Sequence, residues 1–328
     1  MSNMIAIVVR GHGGPEVLQL GVTTRPAPEP GEALVRLTYA PVNMVDVYYR
    51  SGQYEADLPF IPGMEGFGVV EAVGTGVADI RPGQRVGYAM HPGSYAQFAR
   101  VPAWKLLPVP DGLDDQCAAA ALLQGLTAHF LAHDTWALSP GQTALVHAAA
   151  GGVGALLTQM LKRRGVRVIG VVSTEVKARH ARECGADDII LRSDGGPFAP
   201  EVSRRTAGRG VDVVFDSVGR MTFEESLDCL RPRGCLILYG QSSGPAPPFD
   251  PQVLRIKGSL FLTRPTLTHY MADRTELLGR AADLFNWLTT GALRVRIDAI
   301  LPLEDATRAH RHLEERRSHG KILLELPR

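Results

Sequence analysis

The stretch His147-Ala148-Ala149-Ala150-Gly151-Gly152-Val153-Gly154 decides the fold. It overlaps the end of a continuous apolar run, Thr143 to Ala148, and precedes Ala155 to Arg164, which reads as a helix. Ala149, Gly151 and Gly154 occupy the three positions of a G-x-G-x-x-G fingerprint, with alanine in the first. Such a turn needs small residues: the chain reverses tightly, its backbone approaches a pyrophosphate, and the helix packs close to the strand. N–H groups at the helix start then face the anion, so Ala149, Gly151, Gly152, Val153 and Gly154 are candidate dinucleotide contacts.

Outward from the loop, strand and helix signals alternate. Val166 to Val172, Asp188 to Leu191, Val211 to Phe215 and Cys235 to Tyr239 read as strands. Glu175 to Cys184, Glu201 to Ala207 and Thr222 to Leu230 read as helices, the first ended by Gly185. Apolar runs of this length fit strands buried on both faces, and the alternation predicts a doubly wound parallel sheet. Up to about Ala120 the pattern is different. Short apolar runs such as Ala33 to Leu37 and Gly68 to Val73 are broken by Pro30-Gly31, Pro62-Gly63, Pro82-Gly83 and Pro92-Gly93, which predicts a β-rich barrel or sandwich. The last stretch carries a helix from Thr275 to Leu288, a strand around Arg294 to Ile300, a helix from Glu304 to Arg316 and a strand from Ile322 to Leu326.

A chain of 328 residues is long enough for two domains, and 45% hydrophobic with 21% charged residues is a globular composition. A formal net charge of +1 gives no electrostatic case for nucleic acid or an anionic membrane as main partner. Cys117, Cys184, Cys229 and Cys235 have neither disulfide-framework nor zinc-cage spacing. No signal peptide or transmembrane run is visible, so a cytoplasmic location is expected. His129 and His133 lack the glutamate of an H-E-x-x-H motif and read as ordinary helix residues. His310 and His312 are two apart and face different sides of their helix, and His147 reads as a satisfied core histidine.

An NAD site usually ends its second strand in Asp or Glu, which binds the ribose 2′-OH. Here that strand ends in Ser173-Thr174, and Glu175 falls in a first helical turn that favours an acid anyway. Ser173, with Lys177 and Arg192 nearby, suits a 2′-phosphate and favours NADPH.

These residues sit within a longer resemblance. Gly13-Gly14-Pro15-Glu16-Val17-Leu18, Val42-Asn43, Tyr48-Tyr49-Arg50-Ser51-Gly52, Gly125-Leu126-Thr127, the His147 to Gly154 loop, Asp216 to Arg220, Ser226 to Leu230, Ser242 to Gly244, Lys257 to Leu260 and Thr263-Arg264-Pro265 follow one another as in a known family. The chain resembles the zinc-free quinone oxidoreductase (zeta-crystallin-like) branch of the medium-chain dehydrogenase/reductase superfamily. The resemblance implies an α/β protein with a GroES-like catalytic domain from residues 1–125 and 265–328, and a Rossmann NADP-binding domain from 126–264. It implies that Asn43 and Tyr48 lie beside the nicotinamide, that Thr127 and Arg264 line the substrate cleft, that Tyr54 faces substrate, and that Ser217, Tyr239, Gly240 and Ser242 follow strand ends at the cofactor. Where zinc-dependent relatives carry metal ligands this chain has Asn43, Met64 and Gln124, with Glu65 alone remaining, and the four-cysteine lobe is missing. No metal is therefore expected.

The implied reaction is hydride transfer from NADPH to a quinone, with Tyr48, Tyr54 and Arg264 as candidate donors to the developing oxyanion. Reduction of α,β-unsaturated carbonyls or enoyl thioesters is the nearest alternative. A cofactor-binding structural or RNA-binding protein is an alternative of another class, against which the near-neutral charge weighs. A homodimer is expected through the edge segment Ser259 to Thr263.

Overall fold

The computed structural model describes residues 2–192 and 195–327. The described chain divides into two compact units, one of residues 1–126 with 271–328, the other of residues 127–270.

The first unit opens with β1 (Asn3–Val8) and β2 (Gln19–Thr24), an antiparallel ribbon. Then come β3 (Glu32–Pro41), α1 (Met44–Arg50), β4 (Glu65–Val73), β5 (Arg85–Ala89), β6 (Phe98–Pro102) and β7 (Leu107–Pro108). α2 (Asp115–His133) runs across the division between the units. α1 is not among the sequence-based expectations, which treat the chain up to about Ala120 as strands and turns, and of α2 only the stretch with His129 and His133 is read as helical. α2 escapes a periodicity search because it is not amphipathic: Ala118 to Leu123 are all buried, as are Leu126, Ala128, Phe130, Leu131 and Ala132. A helix buried all round has no polar stripe to reveal its period.

The second unit holds β8 (Thr143–His147), α3 (Gly152–Arg163), β9 (Arg167–Val172), α4 (Glu175–Glu183), β10 (Asp188–Leu191), α5 (Ala199–Arg205), β11 (Val211–Asp216), α6 (Phe223–Asp228), β12 (Leu230–Leu238), α7 (Gln252–Ile256) and β13 (Phe261–Thr263). Its six strands lie in the order β10-β9-β8-β11-β12-β13, every pair parallel. This is the doubly wound 3-2-1-4-5-6 arrangement, which reverses direction between β8 and β11. Every residue of β8 and β11 is buried, which is why β8 reads as a continuous apolar run; in β11 the buried Asp212 and Asp216 interrupt the apolar residues. α5 starts two residues earlier than the sequence suggests. The Glu225 carboxylate accepts the N–H of Ala199 at 2.8 Å and that of Phe198, a cap supplied from α6 rather than from the local sequence.

The first unit resumes with α8 (Arg274–Thr289), β14 (Ile297–Pro302), α9 (Ala306–Glu314) and β15 (Lys321–Glu325). β14 and β15 complete its main sheet, in the order β14-β15-β3-β4-β5-β7, with β6 also paired to β3. Its core gathers residues such as Ile7, Val35, Val86, Tyr95, Leu303, Ile322 and Leu324 from both ends of the chain.

Candidate functional site

In the second unit, the glycine loop sits at the C-terminal end of β8, at the point where strand order reverses. Gly154 is required there: a Cβ on it would lie 2.3 Å from the Ala148 carbonyl oxygen, which leaves no room for a side chain. Ala149 is fully buried, so a small residue suffices at the first fingerprint position. α3 begins at N-cap Gly151 without a side-chain cap, a helix start suited to an anion.

The loop is braced from below. His147 Nε2 lies 3.0 Å from Ser226 Oγ, which donates to Asp216 Oδ2 at 3.0 Å. Because the hydroxyl proton goes to the carboxylate, the imidazole carries its proton on Nε2 and donates to Ser226. His147 is buried and its pKa is lowered by desolvation, as befits a neutral core histidine. Asp216 also accepts the N–H groups of Val218 at 2.7 Å and Gly219 at 3.1 Å, and the Thr222 hydroxyl at 2.7 Å. Its backbone oxygen accepts from Tyr239 and Gly240, while Ser217 O accepts from Ser242 N at 3.1 Å. Ser217, Tyr239, Gly240 and Ser242 therefore form one hydrogen-bonded group of strand ends. His147, Ser226 and Asp216 hold the loop after β8 to the loop after β11. Ser226 and Asp216 enter the sequence reading only within the resemblance, without this bracing role.

Ser173 follows β9 and is exposed, Thr174 caps α4, and Lys177 lies in the first turn of that helix. Arg192 follows β10, and its N–H donates to Val172 O at 2.7 Å, so the two strand ends stay side by side. Its guanidinium donates to Gly196 O at 2.7 Å and Gly195 O at 2.9 Å and lies 5.2 Å from the Phe198 ring centroid. Thr127 and Arg264 also belong to this unit; Arg264 is exposed and bonds the Pro265 carbonyl at 3.3 Å.

Asn43, Tyr48 and Tyr54 belong to the first unit. Asn43 is the N-cap of α1 and Tyr48 lies on that helix. Tyr54 N donates to Tyr48 O at 3.0 Å, and the two rings lie 5.2 Å apart. Beneath them is a buried polar network that the sequence does not announce. Lys321 Nζ donates to Asn43 Oδ1 at 2.6 Å and to Glu65 Oε2 at 2.7 Å. Asn43 Nδ2 donates to the same Glu65 oxygen at 2.8 Å and to Pro41 O at 3.2 Å, and Glu65 Oε1 accepts Leu123 N at 2.7 Å. Asp46 accepts the N–H groups of Asn43 at 2.8 Å and Met64 at 2.9 Å; burial pushes its pKa up to about 7.

This donor set does not fit a zinc ion. The oxygens of Asn43 and Glu65 already accept from an ammonium group, and the other two positions offer Met64 and Gln124 instead of thiolate or imidazole. Among the described residues no group of three His, Cys, Asp or Glu side chains could hold a metal. His129 and His133 stack 4.5 Å apart on α2. His310 is buried, whereas the half-exposed His312 pairs with Asp298 at 2.8 Å, as their opposite helix faces imply.

A doubly wound unit with a glycine loop at its switch point, in a chain that also carries a β-rich unit built from both chain ends, defines a dinucleotide-dependent oxidoreductase class. Residues 29–111 match the alcohol dehydrogenase GroES-like domain and residues 152–277 the zinc-binding dehydrogenase family. The chain is 43% identical to a quinone oxidoreductase of Pseudomonas aeruginosa, over 95% of this chain and 97% of that protein. It is 40% identical to a 2-haloacrylate reductase of a Burkholderia species, over 98% of each chain. A mycobacterial protein solved in complex with NADPH superposes with a TM-score of 0.95 at 45% identity, covering 98% of this chain and all of the other. The chain belongs to the quinone oxidoreductase, zeta-crystallin-like branch of the medium-chain dehydrogenase/reductase superfamily.

Proposed function

We propose that this chain is an NADPH-dependent quinone oxidoreductase that works without a metal. The observation that carries the reading is the glycine loop at the switch point of the parallel sheet, in a chain 43% identical to a quinone oxidoreductase along nearly its whole length. Bound NADPH supplies the hydride. Ala149 and Gly151 to Gly154 receive the pyrophosphate, and Ser173, Lys177 and Arg192 receive the 2′-phosphate. Ser217, Tyr239, Gly240 and Ser242 shape the strand-end group, while Asn43, Tyr48 and Thr127 orient the nicotinamide. A quinone stabilises developing negative charge by conjugation, so hydrogen-bond donors suffice where an alcohol would need a Lewis acid. Tyr48, Tyr54 and Arg264 are assigned that role.

The relative named as a 2-haloacrylate reductase favours a second acceptor class, conjugated carbonyls, served by the same residues. Stopped-flow oxidation of NADPH with a panel of quinones, enones, haloacrylates and enoyl thioesters separates the two. Fast turnover of quinones is the expected result; turnover of the other acceptors alone transfers the assignment to them. Losing one oxyanion donor costs about 2.7–4 kcal/mol when it acts in the transition state. Arg264→Ala or Tyr54→Phe is therefore expected to lower kcat by roughly 100-fold or more with NADPH binding retained. Unchanged kcat in both variants refutes their assignment.

The protein is further proposed to be a cytoplasmic homodimer. No helix among the described residues is long and apolar enough to cross a membrane. β13 ends its sheet, and Phe261 on it is 53% exposed, which supports edge-to-edge pairing with a second copy.

A further inference from the structure

Lys321 is 1% exposed and its ion-pair partner Glu65 is fully buried. A charged pair taken out of water contributes little net stability, because desolvation offsets the attraction; an apolar pair of the same volume would serve a core as well or better. An apolar pair could not hold a carboxamide in one orientation. The Asn43 side chain is gripped at both ends, Oδ1 by Lys321 and Nδ2 by Glu65 and Pro41 O.

The backbone aims the ammonium at this point. Lys321 N donates to Arg296 O at 2.8 Å, and Val42 N, just before Asn43, donates to Ile322 O at 2.9 Å. The residue before Lys321 must be glycine, because a Cβ on Gly320 would lie 2.4 Å from Arg296 O. Glu65 extends the same grip to α2 through Leu123 N. Asn43 is the N-cap from which α1 departs, and α1 carries the buried ring of Tyr48.

We propose that Lys321 is a positioning residue for the reaction: with Glu65 it locks the Asn43 carboxamide, fixes the start of α1 and so sets where Tyr48 stands. The inference rests on the reading of Tyr48 as a residue that acts on the acceptor. It is tested with Lys321→Met and with Lys321→Met/Glu65→Met, which removes both charges, keeps the core filled and provides a folded variant if the single change does not fold. Both release Asn43. At a temperature where circular dichroism shows the variants fully folded, kcat for quinone reduction is expected to fall roughly 10–100-fold. NADPH affinity, read by fluorescence titration without turnover, is expected to change far less than kcat, because the glycine-loop and 2′-phosphate contacts stay intact. Amide hydrogen exchange over residues 44–50 is expected to accelerate while residues 152–163 keep their protection. A residue that merely stabilises the core would lower the melting temperature and leave kcat of the folded enzyme alone. That outcome, or unchanged protection of α1, overturns the inference. If the wild-type protein reduces no quinone, the functional reading fails instead, and the exchange experiment alone decides whether Lys321 fixes α1.

Discussion

Ser173 and Lys177 flank the start of α4, and Arg192, from a later part of the sequence, is brought alongside because its N–H donates to Val172 O at the ends of neighbouring strands. Arg192 is held by its own loop through the carbonyls of Gly195 and Gly196, so it is ordered in advance and loses little freedom on meeting a phosphate. Each charge-assisted contact contributes about 1.5–3 kcal/mol. Lys177→Ala/Arg192→Ala is therefore expected to remove most of the preference for NADPH over NADH, by raising KM for NADPH and leaving KM for NADH nearly unchanged. Steady-state kinetics with the two cofactors checks this; a double variant that keeps the wild-type preference contradicts the assignment.

α1 and α9 are tied together by groups that no local pattern displays. Arg50 on α1 is 2% exposed and bonds Glu314 twice, at 2.7 and 2.8 Å. It also lies 3.2 Å from His310 Nδ1, while Tyr95 Oη lies 3.0 Å from His310 Nε2 and 3.3 Å from Asp46 Oδ2. Burial, with Arg50 beside it, pushes the His310 pKa down from 6.5 to about 3. Between those values the unfolded chain binds the proton more tightly. The stability that neutral His310 allows is full above pH 6.5 and is lost as pH falls toward 3. Asp46, raised from 3.8 to about 7, has the opposite sign: its contribution is full below 3.8 and is lost as pH rises through 7. The two oppose each other over most of this range, so a bare stability curve would hide both. Subtracting the curve of His310→Gln exposes the first. Relative to that variant, the wild type is expected to lose up to about 1.4 kcal/mol per pH unit from pH 6.5 downward, read from denaturant midpoints. A difference independent of pH would mean that His310 is not held neutral.

For the whole molecule, β13 is one of the sheet-edge strands among the described residues. Among the described residues it pairs with β12 alone, and its exposed Phe261 packs on Trp136 with ring centroids 5.2 Å apart. Unpaired N–H and C=O groups beside exposed aromatic surface make a template for a second strand. A symmetric pairing of two copies would cover both edges at once. Light scattering is expected to give twice the mass of the 35.4 kDa chain for the wild type, and a single chain for Phe261→Lys. A monomeric wild type at micromolar concentration rules out the proposed pairing.

The sequence by itself determined the parallel sheet and its glycine loop. Strands buried on both faces are mostly apolar, and a loop that approaches a pyrophosphate must be small, so composition and order carry the information locally. Ala149, Gly151 and Gly154 were legible for that reason, as was the serine at the end of β9. The start and length of α2 were not, although His129 and His133 read as helical, because burial on every side erased its period. Nor was the Asn43–Glu65–Lys321 cluster. Asn43 could be read as standing where zinc-dependent relatives carry a metal ligand, but its cation lies 278 positions away along the chain, in a short apolar strand where a lysine looks like an exposed residue. Only the tertiary structure brings β15 beside β3 and turns that side chain inward. A hydrogen bond depends on position to within tenths of an ångström, and that position is set by packing the two ends of the chain into one core rather than by the residues next to it.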